Sequence, residues 1–369
     1  MFFDAGGGHR AAATALKQVI ENQKRPWEVR LIDVQDVLDE LDIFRKITGL
    51  RLEDIYNLVL EKGWTLGSAQ LMPLMHSVIR LYHGSQVKVL AKHWQVSPPD
   101  MVVSLVPNFN RSMLDGLRKV SATVPYVTVL TDIADYPPHF WIEKQDQYFI
   151  CGSAKAEQQA LGMGHSKDKV IRTSGMILNP RFYEPIDVDV AAKRRELGLD
   201  PTKPTALVMF GGQGSNVMKT IADRLDKSDL DLQLIFICGK NAKLAESLRA
   251  RKGRLVKFVE GFTQEIPMYM KLSDWMIGKP GPGSISEAVA MGLPVITERN
   301  AWTLPQERYN SEWIIENQIG EVVPNFDQIV DASRRMLQPG ALAKYKANAA
   351  ALHNRAIFEI PDILETLLG

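Results

Sequence analysis

The chain has 369 residues, 45% of them hydrophobic, and a formal net charge of +1. That length fits about two domains with a core each, and the near-zero charge excludes whole-molecule attraction to nucleic acid, so an anionic partner has to be met by a local patch. Cys151 and Cys238 end separate apolar runs and read as buried thiols in a reducing compartment, while no signal peptide pattern and no apolar run approaching the ~18 residues of a membrane span are present.

Met1-Phe2-Phe3-Asp4 reads as a first strand of unusual brevity, since a buried parallel strand normally has about five or six residues. Either the strand is stubby or its true start lies upstream. Asp4-Ala5-Gly6-Gly7-Gly8-His9-Arg10 then makes a strand-to-helix turn into a helix over 8–21. A capping histidine would not need three glycines, which are kept where something must come close. A neutral imidazole beside a positive helix end has a lowered proton affinity, so His9 is a candidate general base, with Gly7 and Gly8 leaving room for an acceptor. A strand is expected over 29–32.

The stretch 58–81 combines Trp64, Leu66, Leu71, Met72, Leu74, Met75, Val78, Ile79 and Leu81 with Arg45, Lys46, Arg51 and Arg80 around it. It fits an interfacial anchor or lipid pocket, with Trp64 touching the acceptor, and equally a buried helical insertion. Strands are predicted over 101–105, 126–130 and 147–150, with helices over 111–119 and 154–161. Asp132, at the end of the second of these strands, either assists proton transfer and orients an acceptor or stabilises a turn. Residues 176–204, rich in proline and mixed charge, form the inter-domain connection, with a short helix over 190–196. Asp187-Val188-Asp189 imitates a metal-binding pair but lies in this connector, where a solvated helix cap is the better reading.

The second half alternates strands (206–210, 233–237, 255–259, 275–277, 295–297) with helices (216–225, 242–251, 266–272, 284–291, 306–317). Such alternation implies parallel sheets covered on both faces, hence two doubly wound halves facing a central cleft. Ligands of such sheets sit at the carboxyl ends of the strands. There lie Gly211, Gly212, Gly214 and Ser215, then Gly239 and Phe262, whose strand-end positions would ring a base. The run Gly278-Lys279-Pro280-Gly281-Pro282-Gly283-Ser284 has no capacity to pack a core, but its backbone N–H groups beside a positive helix start suit a diphosphate. No Walker lysine motif exists. Glu287, one turn into that helix, would accept from a ribose diol. Gln306, Glu307 and Asn310 offer short polar side chains to sugar hydroxyls, or simply cap a helix. Arg249, Arg251, Lys252 and Arg254 crowd one loop, usually a solvated turn but also suited to anionic headgroups. The histidines show no metal-ligand spacing. Residues 342–368 read as helical and able to fold back across both halves.

At Gly6-Gly7-Gly8-His9-Arg10, Thr131-Asp132, Gly211-Gly212-Gln213-Gly214, the 278–288 run and Gln306-Glu307-Arg308-Tyr309-Asn310, the sequence resembles the monogalactosyldiacylglycerol synthase family of bacterial and plastid diacylglycerol glycosyltransferases. It is more distantly similar to the GlcNAc transferase MurG. The resemblance covers nearly the whole chain. It implies an α/β fold of GT-B type, two Rossmann-like domains with boundaries at 1–178 and 179–345, and a C-terminal helix over 346–369. It further implies an inverting hexosyltransferase that uses a UDP-sugar donor, a diacylglycerol or other lipid acceptor, no cofactor and no metal. The enzyme would be peripheral on the cytoplasmic face of an anionic membrane, bacterial inner membrane or equivalent. Gln213, where members usually carry Glu, and Pro137-Pro138-His139-Phe140-Trp141 depart from the family pattern and leave the sugar and acceptor open. A MurG-like transfer of GlcNAc to a polyprenyl-linked acceptor and a UDP-sugar epimerase of the same fold are the alternatives.

Overall fold

A computed structural model describes residues 1–3, 8–39 and 79–369. Gly7, Trp64 and residues 58–78 of the amphipathic stretch lie outside the described residues. The chain separates into two compact units, one of residues 1–180, 304–306 and 354–369, the other of 181–303 and 307–353.

The first unit carries a parallel sheet in the order β1 (Val102–Ser104), β2 (Tyr126–Val129), β3 (Tyr148–Cys151), β4 (Val170–Arg172). Beside β1 runs the start of the chain: Leu105 N donates to Met1 O at 3.0 Å, and Phe2 pairs in parallel with Asp33 by a single bridge. The expected strand over 29–32 is therefore reduced to that bridge. The bridge falls one residue beyond the expected strand, on Asp33, which is committed to capping α2 (Val34–Leu38), its carboxylate accepting from Gln35 N at 2.9 Å. Helix α1 (Gly8–Asn22) buries Ala12, Ala15, Leu16 and Val19. Helix α3 (His83–Val96) buries Val87, Leu90, Ala91 and Trp94, a regular i, i+3, i+4, i+7 stripe, against Met113 and Leu117 of α4 (Asn110–Arg118). Asn110 is the polar hub of this unit, its Oδ1 accepting from Ser104 Oγ at 2.7 Å and Tyr126 OH at 2.8 Å. Helix α5 (Ala154–Gly162) follows β3, capped by Ser153.

The first unit is completed by α14 (Ala356–Leu368), which packs on α1. Arg25 NH1 donates to Glu365 at 2.8 Å, Glu359 accepts from Ser174 N at 2.8 Å, and Asn354 Nδ2 donates to Met176 O at 2.9 Å. The continuous helical reading of 342–368 splits here: α13 (Ala341–Ala351) belongs to the second unit and α14 to the first.

The second unit opens on α6 (Val190–Glu196), whose N-cap is Asp189, accepting from Ala192 N at 3.0 Å. Its sheet runs β10 (Gly320–Val323), β9 (Val295–Glu298), β8 (Trp275–Ile277), β5 (Thr205–Met209), β6 (Gln233–Ile237), β7 (Lys257–Glu260), all parallel. Every residue of β5, β6 and β8 is buried, as expected of strands covered on both faces. Helices α7 (Val217–Asp226), α8 (Ala242–Ala250), α9 (Ile266–Lys271), α10 (Pro282–Ala290), α11 (Arg308–Glu316) and α12 (Ile329–Met336) supply the cover. The order reverses between β5 and β8, so the loops after these two strands flank the crevice where doubly wound sheets bind ligands. Those loops are the glycine runs 210–215 and 278–283. Among the described residues no helix is long and apolar enough to cross a membrane.

Candidate functional site

In the first unit, His9 is the second residue of α1, and its Nδ1 lies 2.9 Å from Thr131 Oγ1, just beyond β2. The indole of Trp141 stands against the imidazole, ring centroids 5.7 Å apart and tilted by 55°. Trp141 Nε1 donates to Asp132 Oδ2 at 2.8 Å. The structure thus brings His9 and Asp132 into one cluster but gives them different surroundings. Asp132 fixes the Trp141 ring, and Trp141 and Thr131 together fix the plane of His9. Burial among these groups pushes the His9 imidazole down to about 4, so it is neutral at physiological pH. The loop carrying Trp141 is itself anchored by Asp135, which accepts from Trp141 N at 2.6 Å and His139 N at 3.1 Å. Burial pushes that carboxyl up to about 6 against these backbone hydrogen bonds.

In the second unit, the loop after β5 and the loop after β6 lock together backbone to backbone. A Cβ on Gly239 would stand 2.3 Å from Gly212 O, and one on Gly214 would stand 2.6 Å from Cys238 O; both residues have positive φ, so only glycine fits either position. Lys240 N closes the contact, donating to Gly212 O at 2.8 Å. Gly212 and Gly283, by contrast, have open space where a side chain would be. Ser215 precedes the N-cap Asn216 of α7, its Oγ accepting from Val217 N at 3.3 Å. Phe262 presents its ring to solvent, with Lys240 Nζ 5.8 Å from the ring centroid.

Gly281 is the N-cap of α10 and Pro282 its first residue, with no side chain capping the turn. Pro282 has no N–H and Ile285 N is taken by Gly281 O at 3.1 Å, which leaves the Gly283 and Ser284 amides as the orphan donors of the helix start. Glu287 lies one turn on, half-buried and without a side-chain partner among the described residues, and burial pushes it up to about 7. Asn310 and Glu307, expected to meet sugar hydroxyls, each hold a residue of the 278–283 loop. Asn310 is buried and its Nδ2 donates to Pro280 O at 2.7 Å, holding the loop from beneath. Glu307 is buried and accepts from Lys279 Nζ at 2.8 Å. Gln306 lies in the short turn Pro305–Glu307 and groups with the first unit.

Sequence reasoning passed over Thr131, Trp141 and Lys279 as functional groups. Thr131 adjoined a residue already singled out, and Trp141 entered only as the end of a run that departs from the family pattern. The basic loop is largely consumed by structure. Arg249 donates to Val259 O at 3.0 Å, Arg251 pairs with Asp223, and Arg254 donates to Ser228 O at 2.7 Å. Among the described residues no group of three His, Cys, Asp or Glu is placed to hold a metal ion.

A glycosyltransferase family 28 C-terminal domain matches residues 205–301, the span that holds both glycine loops. The spinach (Spinacia oleracea) chloroplastic monogalactosyldiacylglycerol synthase is 28% identical over 99% of this chain and 71% of its own length. The Arabidopsis thaliana monogalactosyldiacylglycerol synthase 1 is 28% identical over 86% of this chain and 60% of its own length. Among solved structures, the Acinetobacter baumannii MurG superposes with a TM-score of 0.59 at 12% identity, covering 99% of this chain and 97% of its own. Two parallel α/β units of this architecture, with the family 28 domain in the second, make this chain a glycosyltransferase of the GT-B fold. Within that class its sequence is similar to monogalactosyldiacylglycerol synthases, at 28% identity over 86–99% of the chain.

Proposed function

We propose that the protein transfers a hexose from a UDP-sugar to the free hydroxyl of diacylglycerol, with inversion at the anomeric carbon and at a membrane surface. The observation that carries the reading is the second-unit crevice: two glycine loops, open at Gly212 and Gly283, beside orphan amides and a Glu287 with no side-chain partner among the described residues. This array suits a nucleoside diphosphate whose ribose diol donates to Glu287 and whose phosphates accept from the Gly283 and Ser284 amides. Phe262 offers a face for the base. Likeness to the synthases over nearly the full length of the chain supports the lipid acceptor.

In the reaction, the acceptor oxygen attacks the anomeric carbon as the bond from that carbon to the diphosphate oxygen breaks, and UDP departs with the electron pair. The acceptor proton goes to His9. For that, Nδ1–H must donate to Thr131 Oγ1, which leaves the lone pair on Nε2 as the base. The diphosphate charge is met by oriented amides rather than by a metal ion. Diacylglycerol vesicles supplied with radiolabelled UDP-galactose or UDP-glucose should yield a labelled glycolipid. Label returning only as an isomerised UDP-sugar, or only on a polyprenyl-linked acceptor, would overturn the assignment.

A further inference from the structure

Lys279 is the second residue of the loop after β8, and its ammonium donates to the buried Glu307 carboxylate at 2.8 Å while the lysine side chain keeps 38% of its surface exposed. Its position is defined by the glycines around it. A Cβ on Gly281 would lie 3.4 Å from Lys279 Cε and 3.8 Å from its Nζ, and a Cβ on Gly211 would lie 4.0 Å from Cε. The end of the lysine therefore hangs over the seam where the two glycine loops of the second unit meet. A half-exposed ion pair adds little to stability. A carboxylate buried beneath that seam, with Lys279 as its partner, does however hold an ammonium in one place.

We propose that Lys279 is the cation that meets the diphosphate of the donor, and that Glu307 positions it rather than touching the sugar. The inference rests on reading the second-unit crevice as a UDP-sugar site. The lysine supplies a full positive charge on the side where bond breaking leaves negative charge, complementing the partial charges of the α10 amides. As the diphosphate enters, the ammonium shares its three donors between Glu307 and the phosphate oxygens.

Calorimetry with UDP, UMP and uridine separates the possibilities, because only the phosphates should feel the lysine. Lys279→Met is expected to weaken UDP about ten- to a hundredfold, the worth of a hydrogen bond to a charged group, to weaken UMP less, and to leave uridine unchanged. The double variant Lys279→Met, Glu307→Gln removes the buried carboxylate charge that the single variant strands, and should show the same pattern. Lys279→Arg should recover part of the UDP affinity. Wild-type UDP binding intact in both methionine variants, or a loss shared equally by uridine, overturns the assignment of Lys279. A wild-type protein that binds none of the three probes overturns the donor site itself, and this inference with it.

Discussion

His9 is buried enough that its imidazole resists protonation, and this sets where its chemistry should fail. His9→Ala should lower turnover by roughly 10²–10⁴-fold, the usual worth of a positioned general base, with UDP affinity unchanged. The acid limb of the wild-type pH profile should sit near the folded value of about 4, well below the 6.5 of a free imidazole. A limb at 6.5, or a His9→Ala variant with wild-type transfer, would hand the role to another group. Stability runs in the same sense. The folded value is depressed, so between 6.5 and about 4 the unfolded chain binds the proton that the folded chain refuses, and stability declines as pH falls through that window. Glu287 has the opposite sign. Its value is raised to about 7 from 4.5, so the unliganded protein loses stability as pH rises through that window. A ribose diol favours the carboxylate, so UDP affinity should rise as pH passes about 7, with a proton released on binding. Glu287→Gln should abolish that pH dependence and raise the melting temperature of the unliganded protein at pH above 7; calorimetry in buffers of different ionisation heat would detect the proton.

At the level of elements, the interlocked loops after β5 and β6 carry the clearest structural test. Gly239→Ala forces a Cβ to within 2.3 Å of Gly212 O and places alanine at φ +57, a conformation that costs about 1–3 kcal/mol before any clash is counted. The variant should melt lower and bind UDP more weakly; unchanged melting would mean the loops are not locked as described. Much of this arrangement was legible in the sequence, and the legible part was the part with strong local signals. Buried strands of the second unit are continuous apolar runs, and helix starts carry Gly, Pro or Asp. Strand β4 is three residues, Val-Ile-Arg, too short to show alternation, and β10 mixes Gly320 and Glu321 with two valines. Helix α3 did carry its period, at Val87, Leu90, Ala91 and Trp94, but followed an apolar stretch that drew the reading toward a membrane. In the candidate site, the glycine loops and the position of His9 at a helix start were legible because such turns are local in sequence. The internal partners of Asn310 and Glu307 were not legible, because Pro280 and Lys279 lie about thirty positions away in sequence.

For the whole molecule, membrane attachment is the property that composition leaves most open, since the net charge is only +1. The protein should co-sediment with anionic vesicles more than with neutral ones, and progressively less as salt rises past a Debye length of about 8 Å. Trp64→Ser together with Leu71→Ser should reduce sedimentation without altering UDP binding; insensitivity to lipid charge and to both residues would remove the anionic surface as a partner. Transfer should also survive EDTA, and loss of activity restored by a divalent ion would contradict discharge of UDP by amides and Lys279.

The placement of residues 354–369 in the first unit has a consequence for how the protein is made. The first unit is discontinuous in sequence, with nearly the whole second unit threaded between its parts. On a ribosome, residues 181–353 emerge and can collapse around their own sheet while the unit begun before them still waits for its last helix. Until α14 arrives, the apolar side of α1 that it covers stays open, and α1 carries His9. Synthesis therefore delivers the whole of the unit with the two glycine loops before α14 closes over α1, so the helix that carries His9 gains its cover only after the other unit's sheet can form.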